Sequence, residues 1–250
     1  MNKILILAGM MLVASFRLGA QTATMYIYQG RFNSQFERGT FYREYQGQLI
    51  IAGDRSLFTM KAEGDHDAGL QQQTFDLRPD SLFTVYKDME SQSLLFEHSD
   101  LTQRSYFYAD TLFPMEWKME NEEKMIGGIP CRKAVTRFRG RGYTAWYAPS
   151  ITKMEGPWKL GGLPGLILEA YDDEGNWHMS YVAQMPVPIF DTGYFENRIS
   201  KGLPGFPAYA TALKKTMEKL QAAFGGASSP PCIGCQTTPT LKLFSWEKID

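Results

Sequence analysis

The sequence predicts a β-rich fold, all-β or α+β. The expected form is a curved antiparallel sheet or half barrel with one packed C-terminal helix; a β-sandwich is the alternative. Three observations predict it. Aromatic residues make up 14% of the 250-residue chain, and aromatics fit a pleated, half-buried surface. Short β-branched and aromatic runs recur between turn residues at hairpin spacing. Helical apolar periodicity is convincing in a single segment.

Taken in order, the runs Thr24–Gln29, Phe41–Ala52 and Ser56–Ala62 read as strands, with Gly53-Asp54 as a tight turn between the last two. The polar stretch Ala62–Gln73 reads as an exposed loop. Ser81–Lys87, Ser93–His98, Arg104–Ala109 and Met115–Glu120 continue as a meander. Cys131–Arg139 and Tyr143–Ala148 are joined through Gly140-Arg141-Gly142, and Leu166–Tyr171 and Trp177–Gln184 bracket an acidic hairpin loop. Between Pro207 and Phe224, Tyr209, Leu213, Met217, Leu220 and Phe224 form one helical stripe, and Gly225-Gly226 ends it. That stripe requires a sheet to cover it. Leu241–Trp246 is a candidate last strand.

The first 20 residues have the pattern of a secretory signal peptide. Lys3 is followed by an apolar run from Ile4 to Phe16, and Leu18-Gly19-Ala20 precedes Gln21 as a cleavage site. The run is shorter than the roughly 20 residues a spanning helix needs, and no later stretch is apolar enough to span. The division expected is therefore a leader over 1–20, one domain over 21–225, and a Pro/Ser/Gly-rich tail over 226–250. The expected destination is the periplasm or cell envelope. A net charge of −1 offers no field for nucleic acid.

The stretch from Gly127 to Asp172 is the most specific. It contains Gly-Ile-Pro-Cys-Arg-Lys-Ala from Gly128 to Ala134, then Phe138-Arg139-Gly140-Arg141, then Thr144-Ala145-Trp146-Tyr147-Ala148-Pro149. It closes with Gly156-Pro157-Trp158-Lys159-Leu160-Gly161-Gly162-Leu163-Pro164-Gly165-Leu166-Ile167-Leu168-Glu169. This series resembles the GLPGLI family of exported bacterial envelope proteins, named for the hexapeptide that here spans Gly162 to Ile167. The resemblance implies an envelope protein without an established activity, and brings no catalytic residues with it. By fold analogy, the curved sheet is expected to resemble a bacterial lipoprotein-carrier half barrel.

Chemistry limits the motif itself. Pro164 and Gly165 suit the second and third positions of a type II turn, which predicts a positive φ at Gly165. A structural corner is one reading; close approach of backbone to a ligand through Gly162, Pro164 and Gly165 is the other. Arg132, Lys133, Arg137, Arg139 and Arg141 make the Cys131–Tyr143 hairpin basic, with Lys133, Arg137 and Arg139 expected on one face. Arg137, Arg139 and the nearby Trp146 are thus candidates for binding, against a plain solvent-facing surface.

Cys131, Cys232 and Cys235 are the disulfide candidates in an oxidising compartment. Cys232-Ile233-Gly234-Cys235 has the spacing of a redox or soft-metal pair, but its prolines exclude a helix that starts promptly. The histidines, His66, His98 and His178, show no metalloprotease spacing, and neither a nucleophile elbow nor a phosphate loop is present. No cofactor is expected. The function predicted is a non-catalytic envelope protein that binds or carries an apolar or amphipathic ligand. Its alternatives are an accessory protein docking on an outer-membrane or envelope assembly, and a hydrolase whose site is assembled from distant residues.

Overall fold

A computed structural model describes residues 22–36, 39–66, 83–99 and 105–225. The leader, residues 67–73 of the expected loop, the tail with Cys232 and Cys235, and Leu241–Trp246 all lie outside the described residues. Eleven strands form a single antiparallel sheet: β1 Thr22–Phe36, β2 Gly39–Ala52, β3 Arg55–His66, β4 Phe83–Asp88, β5 Ser93–Ser99, β6 Ser105–Thr111, β7 Lys118–Ile126, β8 Ile129–Phe138, β9 Arg141–Ala148, β10 Leu166–Asp172 and β11 Trp177–Pro188. Two helices follow, α1 Gly193–Ser200 and α2 Phe206–Gly225. The β-rich curved sheet with a C-terminal helix is thus the observed class.

The strand order is β6-β5-β4-β3-β2-β1-β11-β10-β9-β8-β7. Two meanders therefore join where β1 pairs with β11, through Thr22↔Pro188 to Phe32↔Trp177. This order forces curvature. Laid flat, eleven strands at about 4.8 Å spacing put the outer strands about 48 Å apart. Yet those outer strands, β6 and β7, are joined by Leu112–Trp117 alone, whose extended reach is about 25 Å. The sheet has to curl until its edges approach, and it stops short of a hydrogen-bonded closure.

Alternation assigns the faces. Phe83 and Val85 on β4, Leu94 and Phe96 on β5, and Tyr108 on β6 enter the main core. The intervening Tyr86, Leu95 and Phe107 meet α1 on the outer face. There Phe195 stacks on Tyr86 with ring centroids 4.8 Å apart. α2 lies on the inner side, where Tyr209 stacks on Tyr108 at 4.2 Å. Such a ring pair adds about 0.5–1.5 kcal/mol beyond its buried area.

Three local expectations are corrected. α1 is an eight-residue helix, too short to give a persistent periodic signal. β7 runs to Ile126 and forms a second hairpin through Gly127 and Gly128, with φ of 56° and 79°, a type I′ turn. Its Lys118, Glu120, Glu122, Glu123 and Lys124 hide the strand pattern because β7 is an edge, where charge discourages further pairing. The β8–β9 turn is Arg139-Gly140, with φ of 48° and 74°. Arg139 has therefore left the strand and does not share a strand face with Arg137. The other edge, β6, is met at Ala109, whose N–H donates to the Pro204 carbonyl at 2.9 Å.

Candidate functional site: a rim cleft outside a loop-filled interior

The connection from β9 to β10 runs through the inner side of the sheet. Residues Glu155, Trp158, Lys159, Leu160 and Leu163 are all buried in it. A buried loop leaves backbone groups that need partners, and the sheet supplies them. Lys87 on β4 donates to Glu155 Oε2 at 2.8 Å, the Leu160 carbonyl at 3.0 Å and the Gly156 carbonyl at 3.3 Å. Those contacts match the three donors of an ammonium. Ser56 Oγ donates to the other Glu155 oxygen at 2.7 Å. Burial pushes the Lys87 ammonium below its ordinary range, and Glu155 opposes that shift by charge and hydrogen bonding. Trp117 Nε1 donates to the Gly161 carbonyl and Tyr28 OH to the Ile167 carbonyl, both at 2.8 Å.

A second ionic group closes the seam between the sheet edges. Asp110 on β6 accepts Arg139 at Oδ1 and Lys159 at Oδ2, each at 2.7 Å. Lys159 also donates to Tyr108 OH. The Lys159 ammonium sits 4.5 Å from the Tyr108 ring centre and 4.9 Å from that of Phe96. The Arg139 guanidinium lies on Phe206 at 3.3 Å. These groups come from β5, β6, the β8–β9 turn, the interior loop and α2, so five elements meet where the sheet itself is open.

The glycine-rich corner is packed from inside. A Cβ at Gly161 would fall 2.1 Å from the Phe113 ring, and one at Gly162 would fall 3.2 Å from Phe113 Cβ. The close approach that these glycines permit is made by Phe113 of this chain. The type II turn is replaced by a γ-turn about the exposed Pro164, since the Gly165 N–H donates to the Leu163 carbonyl at 2.8 Å. The Leu166 N–H goes instead to the Ile151 carbonyl at 3.0 Å. Gly165 has φ of 152°, and a Cβ there would lie 2.3 Å from the Ala148 carbonyl oxygen.

The basic hairpin is interleaved with carboxylates. Arg132 meets Glu123 at 3.2 Å, Lys133 meets Glu122 at 2.7 Å and Glu120 at 3.0 Å, and Arg141 meets Asp172 at 3.5 Å. Donating to Glu122 and Glu120 raises the Lys133 ammonium above its ordinary range. Arg137 is exposed and donates to the Gly140 carbonyl at 3.1 Å. Trp146 is buried, with the Lys124 ammonium 4.3 Å from its ring centre. Lys124 and His178 both reach Glu169, at 2.5 and 3.0 Å, and the imidazole is half-exposed on a strand face. His66 ends β3, and His98 lies on β5.

Cys131 is a free thiol, 1% exposed. Burial pushes it up to about 11. Among the described residues, no cluster of three or more metal-ligating side chains is present. No helix among the described residues is long and apolar enough to cross a membrane.

Among the described residues, open space is found at the rim of the sheet. A cleft of about 560 Å³ is lined by Thr22, Ala52, Gly53, Arg55 and the segment Ile189–Thr192. The pairings of β1 explain the convergence. Its start faces Pro188 on one side and Ile51 on the other. The β2–β3 turn and the exit from β11 are thereby brought to one end of the sheet. Ile189 is 42% exposed, while Phe190 reaches back to the outer aromatic cluster, 6.5 Å from Tyr86. Arg55 stands beside this apolar wall, with Glu196 at 3.4 Å and Asp88 at 3.7 Å. Asp191 is exposed, and its Oδ1 accepts the Gly193 N–H at 2.9 Å. Sequence reasoning missed these residues because none is unusual in type and Arg55 and Ile189 meet only through the β1 pairings.

Comparison with known protein families finds no match, and comparison with curated proteins finds none. Among solved structures, PNGF-II in two crystal forms is similar at TM-scores of 0.47 and 0.45, each with 16% identity over 70% of this chain. This chain spans 30% of the PNGF-II chain in both cases. A DUF1329 family protein from Desulfovibrio piger ATCC 29098 gives a TM-score of 0.27 and 8% identity, over 72% of this chain and 92% of that one. A domain from Vibrio parahaemolyticus assigned to outer membrane lipoprotein sorting gives 0.27 and 7%, over 73% and 92%. No activity is carried over from these likenesses.

Proposed function

We propose that this chain is an exported, non-catalytic envelope protein of the GLPGLI type that binds an amphipathic ligand in the rim cleft. The carrying observation is the cleft's composition: an apolar wall of Ile189, Phe190 and Ala52 beside Arg55 and Asp191, in about 560 Å³. Ligand sites combine an apolar lining with a few placed polar groups at volumes of roughly 300–1,000 Å³. Export is supported by the leader-like pattern over residues 1–20. The interior loop supports the location, since Trp158, Leu160 and Leu163 already take the apolar face that a carrier of the open half-barrel kind would offer.

The test is titration with the uncharged apolar dye Nile red, followed by the rise in its emission. Saturable one-site binding is expected, weakened at least tenfold by Ile189→Asp. Ile189 is already half-exposed, so that change leaves the fold formed. Absence of saturable binding, or an unaffected Ile189→Asp variant, overturns the proposal.

A further inference from the structure

We infer that the amphiphile taken by this cleft has a zwitterionic headgroup of the phosphoethanolamine kind, an inference that rests on the amphipathic-ligand reading above. The cleft presents both signs of charge with an apolar surface. Arg55 lines one part, and Ile189, Phe190 and Asp191 another. The guanidinium is 40% exposed, and its acidic neighbours stand at 3.7 and 3.4 Å. Charge-assisted hydrogen bonds close to about 2.7–2.9 Å, so these longer contacts can be exchanged for a phosphate oxygen. Nε is buried, which leaves the terminal nitrogens of the guanidinium as the donors.

Asp191 supplies the opposite charge. Its Oδ1 is taken by the Gly193 N–H at 2.9 Å. That bond fixes the carboxylate at the start of α1, with Oδ2 left to accept an ammonium donor. A purely anionic amphiphile would satisfy Arg55 and be repelled by Asp191; a purely cationic one would meet the reverse. Glu196 and Asp88 near Arg55 add negative charge, which further disfavours a ligand of net negative charge. An alkyl chain beside the headgroup has Ile189 and Phe190 to lie on. A headgroup with phosphate and ammonium a few bonds apart is the chemistry that answers all three surfaces at once.

The experiment is isothermal titration calorimetry of the mature chain with four probes. These are lysophosphatidylethanolamine, lysophosphatidylglycerol and dodecyltrimethylammonium, each below its micelle concentration, and phosphoethanolamine without a chain. Lysophosphatidylethanolamine should bind at least tenfold tighter than each of the others. Asp191→Asn keeps an acceptor for the Gly193 N–H, and should erase the preference for lysophosphatidylethanolamine over lysophosphatidylglycerol. Arg55→Gln should weaken both phospholipids while leaving dodecyltrimethylammonium unchanged or tighter. Equal binding of the three amphiphiles overturns the zwitterion inference and leaves the amphipathic cleft standing. Tighter binding of lysophosphatidylglycerol or dodecyltrimethylammonium overturns it as well. Phosphoethanolamine binding as tightly as its lipid overturns the assignment to a lipid. Binding by none of the amphiphiles removes both readings together.

Discussion

Arg139 and Asp110 stand 2.7 Å apart, although Asp110 lies on the edge strand β6 and Arg139 in the β8–β9 turn, where β8 neighbours the opposite edge strand β7. Their contact does at the seam what backbone hydrogen bonds do elsewhere in the sheet. Lys159 from the interior loop shares the same carboxylate at 2.7 Å. One aspartate thus ties the interior loop and the β8–β9 turn to the edge strand β6.

Removing that aspartate should cost more than removing either cation. Asp110→Ala leaves Lys159, which is 1% exposed, without its carboxylate, and breaking a buried pair this way costs about 3–5 kcal/mol. Arg139→Ala should cost less, because Lys159 still neutralises Asp110. Urea denaturation of the two variants checks the order, and equal or reversed losses would contradict it.

The corner should be intolerant at Gly165 and tolerant at Pro164. Gly165→Ala combines a positive φ with a Cβ 2.3 Å from the Ala148 carbonyl oxygen, and should destabilise by about 3 kcal/mol. Pro164→Ala removes only pre-ordering of the turn and should cost less than about 1 kcal/mol. Thermal melts separate the two. Gly161→Ala should be partly rescued by Phe113→Leu, because the obstructing ring lies 2.1 Å from the added Cβ.

Stability should fall on acidification partly through Glu169. Burial acts to raise its carboxyl, but hydrogen bonds from His178 and Lys124 outweigh that and hold it below the ordinary 4.5. With the folded value depressed, its contribution is fully present above pH 4.5 and is lost as pH falls through the folded value. Chemical denaturation from pH 3 to 7 should show wild type and Glu169→Gln converging at the acid end. A constant gap across that range would contradict the linkage.

Cys131 should be unreactive in the folded protein. A thiol raised to about 11 and 1% exposed has little thiolate near neutrality. In a Cys232→Ser, Cys235→Ser background, Ellman's reagent at pH 8 should label it slowly, then at once in denaturant. Fast native labelling would show that the strand surroundings of Cys131 open readily.

Much of the fold was legible because its signals are local. Gly53-Asp54 marks a turn, aromatic runs mark strands, and the spacing of Tyr209, Leu213 and Met217 marks a helix. What escaped depends on distance or on edges. β7 carries Glu120, Glu122 and Glu123 because it faces water, so alternation fails there. The type II expectation at Pro164 failed because the Leu166 N–H is claimed by Ile151, a partner that only the folded loop provides. Lys87 and Glu155 are ordinary surface residue types until the loop brings them together 68 positions apart. The cleft is of the same kind, assembled from a strand start, a turn and a strand exit.

The mature chain should begin at Gln21, behind Leu18-Gly19-Ala20. N-terminal sequencing of envelope-fraction protein checks this, and an intact Met1 would contradict it.

The location of binding is the central claim, and amide chemical-shift mapping tests it most directly. During titration of the ¹⁵N-labelled mature chain with lysophosphatidylethanolamine, the largest shifts should fall at Thr22, Gly53, Arg55 and Ile189–Thr192. Amides of Trp158, Lys159 and Leu160 should stay in place. Shifts centred on that interior loop, or spread evenly with none at the rim, would contradict a ligand site in the cleft.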